Sequence, residues 1–330
     1  MFDVSMDEFP DRFDITSDFS ELKNLELEGS VVSVGFRPSG SLHVGNLLSI
    51  VYAAVIAEEL GLSLDVFCCD TDWSAPVPEQ NKPENSDVMK LFFNRDCPCG
   101  MHSDLSEHRI EELQDFLTGL ENCTGEKVKI QRLTELRNDE GYLSSLRTVL
   151  ENMQEFDSFF GGGFRRRYRS PVTTTCDECG FSHAKGCDYS SDSGELVASC
   201  RNKECENTFM TGKLTGEIGV HYLVDPVRDK SRDAAVHVFG GDYRDAKKGR
   251  KTSKIEKVAK ITELANGSTP IYFLGPMISD EDGKPLSKTA GTGVTASEID
   301  NLEEFGEELF AKVSDWIKTE RKYLPQSDIL

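Results

Sequence analysis

VVSVGFRPSGSLHVGNLLSIVYAAVIAEEL, residues 31–60, has the clearest secondary-structure pattern in the chain. Residues 31–36 are rich in β-branched side chains and lead into a turn of Pro, Ser and Gly, a pattern typical of a strand. Apolar residues then recur at helical spacing over residues 44–60, and Gly61 follows them as a helix stop. The stretch therefore predicts a strand, a turn and a helix in succession.

Other runs predict further strands of the same sheet. LDVFCC, residues 64–69, is apolar almost throughout, which is typical of a strand buried on both faces of a parallel sheet. AAVHVF, residues 234–239, has the same character, and a shorter run follows at residues 270–274. Helical patterns are expected at 104–120, 141–160, 253–265 and 299–323. Strands that alternate with helices predict an α/β chain.

The composition restricts the class of protein. The chain has 330 residues, with 58 acidic against 37 basic side chains and a formal net charge of −21, and its 38% hydrophobic content is enough for a sizeable core. These values exclude a collagen, a histone-like binder and a disordered tail. The acidic N-terminus and the lack of a long apolar run predict a cytoplasmic chain with no membrane partner. DNA is not expected as a partner either, and any RNA must be held by a local basic patch.

The cysteines predict a structural zinc site. Ten cysteines in a chain without an export signal are expected to be reduced, so their spacing points to metal binding rather than to disulfides. The proposed ligands form two pairs separated by twenty residues, and they are Cys176, Cys179, Cys200 and Cys205. Four thiolates would hold Zn²⁺ tetrahedrally and supply folding energy to a segment of modest apolar content. His183 and Cys187 are spare ligands that leave the set open.

A second cysteine pair, Cys97 and Cys99, is followed by His102. A second metal site is conceivable here, but two thiols one residue apart rarely chelate one ion. We therefore expect these cysteines to line the substrate pocket as loop residues.

Two segments have the character of a phosphate site. His43 and Asn46 lie at the predicted helix start, where backbone N–H groups and the helix dipole favour an anion and both side chains would add donors. Lys284 and Lys288 lie in a charged loop, where lysines can close over a polyphosphate. A plain helix cap for His43 and a solvated charged turn for the loop are the alternatives.

Together, GFRPSGSLHVGN at residues 35–46 and GKPLSKT at residues 283–289 resemble the two signature motifs of class I aminoacyl-tRNA synthetases. PSGSLHVGN is similar to the PSG-x-x-HIGN form of archaeal-type class I lysyl-tRNA synthetases. CGMHSDLSEH at residues 99–108 and FGGDY at residues 239–243 look like that family's counterparts in the same order. The resemblance covers most of residues 31–295.

The resemblance implies a Rossmann-type, HUP-like parallel sheet with a zinc-ribbon-containing connective insertion and a short C-terminal helical segment. The implied divisions are a lead-in at 1–30, the first half of the catalytic domain at 31–160, the insertion at 161–215, the second half with the lysine loop at 216–295, and the C-terminal helix at 296–330.

The implied activity is adenylation of an amino acid, expected to be lysine, by ATP and its transfer to tRNA, with Mg²⁺ entering with the nucleotide. His43 and Asn46 would contact the ATP phosphates, and Lys284 and Lys288 would stabilise the transition state. The implied nucleotide-binding and amino-acid-binding residues are Gly35, Arg37, Ser39, Gly45, Asp70, Asp72, Gly240, Asp242 and Ser287.

Departures from the family pattern modify these expectations. FGGDY stands where relatives usually have FGKDH, which puts the nucleotide contacts at Gly241 and Tyr243 in question. The chain also stops soon after the lysine loop, so we expect the helical anticodon-binding domain to be missing and the anticodon not to be read.

Charged residues supply candidates for the remaining contacts. Asp70, Asp72 and Asp242 follow predicted strands, where open α/β sheets bind ligands, and could face a cationic substrate. Helix caps or surface acids are the alternative for each. The candidate contacts for a tRNA acceptor stem are Arg165, Arg166, Arg167 and Arg169, with a solvated face as the alternative.

Two other functions stay open. One is a stand-alone ligase that acylates a small molecule or a carrier protein, and the other is an inactive, tRNA-binding paralogue. The presence of His43, Lys284 and Lys288 favours an enzyme, because a binding protein does not need two lysines for a transition state.

Overall fold

The structure is a computed structural model. It describes residues 15–38, 41–70, 97, 99–102, 105–136, 139–152, 172–175, 182–183, 187–190, 195–199, 208–213, 219–220, 224–241, 270–282, 284, 286, 293–319, 321 and 323–330. The predicted helix at 253–265 lies outside the described residues.

The described strands are β1 (Ile15–Thr16), β2 (Val31–Phe36), β3 (Ser63–Cys68), β4 (Lys129–Arg132), β5 (Val172–Thr175), β6 (Ser182–His183), β7 (Cys187–Ser190), β8 (Glu195–Ser199), β9 (Thr208–Lys213), β10 (Gly219–Val220), β11 (Ala234–Phe239), β12 (Ile271–Leu274), β13 (Met277–Ser279) and β14 (Tyr323–Pro325). The described α-helices are α1 (Phe19–Leu22), α2 (Val44–Leu60), α3 (Leu105–Thr124), α4 (Leu133–Leu136), α5 (Glu140–Glu151), α6 (Val224–Ser231), α7 (Leu302–Trp316) and α8 (Gln326–Ile329).

Six of these strands form the main sheet. Their order is β1-β12-β11-β2-β3-β4, and each neighbouring pair is parallel. β2, β3, β11 and β12 lie where the sequence predicts strands, and α2 has its predicted bounds. The predicted α/β class with a Rossmann-type parallel sheet is therefore confirmed. The short edge strands β1 and β4 were not predicted.

The first face of the sheet carries the main hydrophobic core. Val32, Val34 and Phe36 alternate along β2 and pack in one cluster with buried residues of α2, α3 and α7. The helices α3 and α7 cross closely because glycine lies at the crossing, where a Cβ on Gly119 would be 2.1 Å from the carbonyl oxygen of Glu303. α2 is buried over most of its surface, which explains why its sequence is apolar nearly all round.

The segments at the two ends of the described chain belong to this fold. β1 pairs with β12 at the sheet edge, although residues 1–30 were expected to be a lead-in. In the segment predicted as a C-terminal helix, α7 buries Phe305, Leu309 and Val313, and β14 pairs with β13. Both segments therefore help to build the main domain, and the other predicted domain boundaries stay predictions.

Between α5 and α6 the described strands are short and antiparallel. β5 pairs with β6 and β10, and β8 pairs with β7 and β9. The four cysteines predicted here as zinc ligands, Cys176, Cys179, Cys200 and Cys205, lie outside the described residues. Within the described part of the chain, no helix has the length and apolar character needed to cross a membrane.

Candidate active site

The strand order of the main sheet reverses between β2 and β11. The chain passes from β2 to β3 and β4 on one side, whereas β11 and β12 lie on the other side. Open α/β sheets bind ligands outside the carboxyl ends of their strands at such a reversal. Gly35 and Arg37 at the end of β2, Asp70 after β3 and Gly240 after β11 all lie at this edge. The sheet thus brings together these four of the predicted site residues.

The start of α2 is capped by two predicted site residues. The N–H of Gly45 donates to Nδ1 of His43 at 3.1 Å, and the N–H of His43 donates to Oδ1 of Asn46 at 3.2 Å. Both side chains therefore act as caps, which is the alternative role considered for His43. Because Nδ1 of His43 accepts a hydrogen bond, the neutral ring carries its proton on Nε2. Contact of His43 and Asn46 with a phosphate stays a prediction.

Both ends of the lysine loop, residues 280–292, are fixed beside the start of α2. Before the loop, Cδ1 of Ile278 lies 3.6 Å from the position that a Cβ on Gly45 would take. After the loop, residues 294–296 run antiparallel to residues 42–44 and exchange backbone hydrogen bonds of 2.9 and 3.0 Å with them. The two sequence motifs, far apart in the chain, therefore meet in the fold.

The described part of the loop forms a tight turn. Oδ1 of Asp280 accepts hydrogen bonds from the N–H groups of Asp282 at 3.1 Å and Lys284 at 2.7 Å. The N–H of Asp280 in turn donates to the carbonyl of Lys284 at 2.9 Å. Lys284 is exposed, and Ser287 and Lys288 lie outside the described residues. The turn fixes the backbone of Lys284 and leaves its long side chain in solvent.

Asp70, a predicted partner for a cationic substrate, is bound to another side chain. Its carboxylate is fully buried, and Oδ2 accepts a hydrogen bond from Nε of Arg132 at 3.2 Å. A substrate ammonium at Asp70 would share the carboxylate with this guanidinium. The other two candidates, Asp72 and Asp242, lie outside the described residues.

Gly241 has no room for a side chain. A Cβ at this position would lie 2.5 Å from the backbone nitrogen and 2.7 Å from the Cα of Met277. Because these contacts are with backbone atoms, they cannot be relieved by a change of rotamer. Glycine at position 241 is therefore required by the close approach of the chain after β12.

A buried polar network on the second face of the sheet was missed by the sequence analysis. Arg228 and Asp229 of α6, His237 of β11 and Ser33 of β2 are at most 2% exposed. Oδ1 of Asp229 accepts from Oγ of Ser33 at 2.9 Å and from Nη2 of Arg228 at 3.1 Å, and Oδ2 is paired with Nδ1 of His237. No sequence pattern signals these contacts, because the four residues come from three separate elements.

The electrostatics of this network favour the ionised carboxylate. Burial raises the pKa of Asp229, but the neighbouring His237 and Arg228, together with hydrogen bonds from His237 and Ser33, outweigh burial. The pKa of Asp229 therefore lies below its ordinary value, and the carboxylate is charged at neutral pH.

Four potential metal ligands converge just before and at the start of α3. They are Cys97, Cys99, His102 and His108, whose ligand atoms lie within 4.8 Å of one another. Sγ of Cys97 is 3.0 Å from Sγ of Cys99 and 3.0 Å from Nδ1 of His108, and Sγ of Cys99 is 3.1 Å from Nδ1 of His102. The geometry therefore suits the metal site that the sequence analysis considered and set aside for this cysteine pair. The first turn of α3 brings in His108, a ligand that the sequence analysis overlooked.

The surroundings of this Cys/His cluster suit a cation. Hydrogen bonds from Cys97 and His102 lower the pKa of the Cys99 thiol to about 6, so that it is a thiolate at neutral pH. Nε2 of His102 is paired with Glu111, an arrangement that orients a metal-binding imidazole through its second nitrogen. Two thiols and two imidazoles are a donor set that zinc prefers, with bonds of about 2.3 Å to sulfur and about 2.0–2.1 Å to nitrogen.

Several predicted site residues lie outside the described part of the chain. They are Ser39, Asp72, Asp242, Ser287, Lys288, the four cysteines of the predicted zinc ribbon, and Arg165, Arg166, Arg167 and Arg169. Their roles stay predictions.

Comparison with known proteins identifies relatives for most of the chain. The profile of the family described as tRNA synthetases class I (K) matches residues 14–311. A lysine–tRNA ligase of Methanosarcina barkeri is 25% identical over 285 residues, which cover 82% of this chain and 50% of that protein. Lysine–tRNA ligase 1 of Methanosarcina acetivorans is 25% identical over 286 residues, covering 83% of this chain and 51% of that protein. The chain thus spans about half the length of the curated relatives it matches.

Solved structures resemble the chain more distantly. The tyrosyl-tRNA synthetase of Archaeoglobus fulgidus complexed with L-tyrosine has a TM-score of 0.44 and 13% identity, over 91% of this chain and 78% of that one. A putative arginyl-tRNA synthetase of Campylobacter jejuni has a TM-score of 0.40 and 13% identity, over 90% of this chain and 65% of that one.

Proposed function

Because this chain belongs to the class I (K) tRNA synthetases, the archaeal-type lysyl family, we propose that it activates an amino acid with ATP and transfers the aminoacyl group to tRNA. The observation that carries this proposal is the convergence of the two motifs. Both ends of the lysine loop are fixed beside the helix start that carries His43 and Asn46. A helix N-terminus with a lysine-bearing loop anchored beside it suits the polyphosphate of ATP.

In the proposed reaction the carboxylate of the amino acid attacks the α-phosphorus of ATP, and pyrophosphate leaves. No protein nucleophile is needed, so catalysis rests on positioning and on stabilisation of the developing charge. His43 and the start of α2 would hold the phosphates, and Lys284 and Lys288 would neutralise charge on the departing pyrophosphate. Mg²⁺, bound with the nucleotide, would add charge neutralisation.

Lysine is the proposed amino acid. Support comes from the 25% identity to two Methanosarcina lysine–tRNA ligases and from Asp70 at the sheet edge. Asp72 and Asp242 are the further proposed partners of the substrate ammonium. Because Arg132 already pairs with Asp70, the preference for a cationic side chain would depend on more than one of these carboxylates.

The proposed acceptor is the 3′ end of tRNA, with Arg165, Arg166, Arg167 and Arg169 as its phosphate contacts. The overall charge of −21 would repel RNA from the rest of the surface. We therefore expect tRNA to bind at these arginines, with an affinity that falls as the salt concentration rises.

Amino-acid-dependent exchange of pyrophosphate into ATP tests the proposal. The assay should cover the common amino acids and ornithine, because exchange reports adenylation without any acceptor. Exchange stimulated by lysine is expected, and stimulation by a different amino acid would replace lysine but keep the reaction. Acyl transfer should then be measured separately, with and without total tRNA. Transfer that depends on tRNA would identify tRNA as the acceptor, whereas transfer without tRNA would indicate a small molecule or a carrier protein.

We also propose that Cys97, Cys99, His102 and His108 hold a structural zinc ion, in addition to the one proposed for the cysteine ribbon. Four protein ligands leave no open position, so this ion would stabilise the loop before α3 rather than react. Zinc measured by mass spectrometry should fall by one ion per chain in Cys99→Ser. Cys123→Ser, which alters a partly exposed free cysteine farther along α3, is the matched control and should keep full zinc content. Equal zinc in both variants would contradict the site.

A further inference from the structure

Lys284, one of the two lysines proposed to act on the phosphates, is anchored on β13. Its turn begins directly after this strand, and the N–H of Asp280 donates to the carbonyl of Lys284 at 2.9 Å. Beyond the lysine, the N–H of Leu286 donates to the carbonyl of Ile278, within β13, at 2.9 Å. The chain is thus tied back to the same strand before and after Lys284. The position of the lysine backbone therefore depends on where β13 lies.

β13 is held in turn by the segment 323–330. It pairs in parallel with β14, the first part of this segment, in a two-stranded sheet apart from the main one. Leu324 of β14 and Ile329 of α8 are fully buried in the main core. Nζ of Lys312 in α7 also donates to the carbonyl of Ile329 at 3.1 Å. The strand that carries the lysine turn is therefore paired with a segment that is itself firmly docked.

Gln326, the residue after β14, joins this strand pair to the other end of the lysine loop. Its Oε1 accepts a hydrogen bond from the N–H of Val294 at 3.4 Å. The carbonyl of Val294 accepts in turn from the N–H of Val44, the first residue of α2, at 3.0 Å. One side chain thus links the strand beside the lysine turn to the helix start that is proposed to bind the phosphates.

This hydrogen bond adds a directional contact to an apolar one. Ile278 of β13 also lies beside the start of α2, with its Cδ1 3.6 Å from the position that a Cβ on Gly45 would take. Apolar contacts are not directional, so this one does not by itself fix where β13 lies along α2. A hydrogen bond restricts both distance and angle. Gln326 therefore constrains the two motifs relative to one another in a way that Ile278 does not.

The distance between the two motifs matters for the proposed chemistry. A lysine that neutralises charge on departing pyrophosphate acts only if it is already in place when the charge develops. Displacement of such a group by about 1 Å can cost a large factor in rate, about 10²-fold in unfavourable cases. A contact that sets the distance between the Lys284 turn and the start of α2 would therefore affect the rate of adenylation.

We propose that Gln326 is a positioning residue for adenylation, which acts through Val294 to set the distance between the Lys284 turn and the start of α2. This inference rests on the proposed function. Gln326 itself touches neither substrate in this proposal, and its effect is exerted through Lys284.

Two replacements of Gln326 test the inference. Methionine has a similar length but offers no oxygen to the N–H of Val294, whereas glutamate keeps an oxygen acceptor at the same reach. Gln326 is only partly buried, so both variants are expected to fold. In lysine-dependent pyrophosphate exchange, kcat should fall about fivefold in Gln326→Met and stay within about twofold in Gln326→Glu. The KM values for ATP and lysine should not change, because the lost interaction belongs to the transition state.

The same replacement in a Lys284→Ala background separates positioning from a loss of folded enzyme. If Gln326 acts by placing Lys284, the two losses do not multiply, and Gln326→Met should slow the Lys284→Ala variant by less than about twofold. A merely structural role would reduce the rate by the same factor in both backgrounds.

Hydrogen–deuterium exchange at the amide of Val294 gives a readout that does not depend on activity. It should be about fivefold faster in Gln326→Met than in the unmodified chain, and unaltered in Gln326→Glu. An unchanged kcat in Gln326→Met, equal losses in the two lysine backgrounds, or an unaltered amide of Val294 would overturn the inference. Absence of pyrophosphate exchange in the unmodified chain would instead overturn the proposed function, and this inference with it.

Discussion

Replacement of His43 by alanine separates the structural from the catalytic role of the first motif. The side chain caps α2 by accepting the N–H of Gly45 at 3.1 Å. Loss of an N-cap costs about 1 kcal/mol, which in a chain of this size lowers the melting temperature by roughly 2 °C. If His43 also contacts the ATP phosphates, removing a donor to the developing charge should lower the exchange rate by about 10²–10³-fold. The loss of activity would then far exceed the loss of stability.

Asn301→Ala is the matched control for this experiment. Asn301 caps α7 in the same way, with Oδ1 accepting the N–H of Glu304 at 3.3 Å, and α7 packs on α2 and α3 rather than at the strand ends. Thermal unfolding should show losses of similar size in both variants, whereas pyrophosphate exchange should fall in His43→Ala alone. Equal exchange rates in the two variants would refute a catalytic contact and leave His43 as a cap.

Gly241→Ala should lower the free energy of unfolding in urea by about 1–3 kcal/mol, because its Cβ would meet the backbone of Met277 at 2.5 Å, whereas Gly293→Ala, with no atom within 4 Å, should change it by less than about 0.5 kcal/mol. A tolerated Gly241→Ala would contradict the close approach of the two segments. The lowered pKa of Asp229 in the folded state means that its stabilisation is present above its unfolded pKa of about 3.9 and is lost as the pH falls through the lower folded value. Urea unfolding between neutral pH and about pH 3 should therefore depend less steeply on pH in Asp229→Asn than in the unmodified chain, and identical slopes would exclude this carboxylate as a source of the acid sensitivity.

The elements of the sheet that the sequence predicts are those whose signals are local. The runs at 31–36 and 234–239 are mainly apolar because most of their residues are buried, and α2 is bounded by a cap and by Gly61 in the left-handed conformation. β4 escaped prediction because its sequence, KIQR, is polar and belongs to an edge strand, which is covered less fully. Short edge strands gain their structure from the neighbour they pair with, and a single sequence does not reveal that neighbour.

The candidate site was predictable in its motifs and unpredictable in its long-range contacts. His43 and Lys284 could be selected from their local patterns, but the antiparallel pairing of residues 294–296 with 42–44 depends on the whole fold. His108 was missed because metal sites are recognised in a sequence mainly from pairs of cysteines at short spacing. This histidine joins the cluster only because the first turn of α3 places it beside Cys97. Arg228 was missed since a lone arginine in an acidic chain normally lies in solvent.

Amino-acid-dependent pyrophosphate exchange by the unmodified chain and by Lys284→Ala is the decisive measurement for the proposed adenylation. We expect exchange stimulated by lysine, and a rate that is lower by about two orders of magnitude in Lys284→Ala with an unchanged melting temperature. If no amino acid stimulates exchange by the folded, unmodified chain, the proposed adenylation is contradicted. A Lys284→Ala variant as active as the unmodified chain would contradict the proposed role of this lysine.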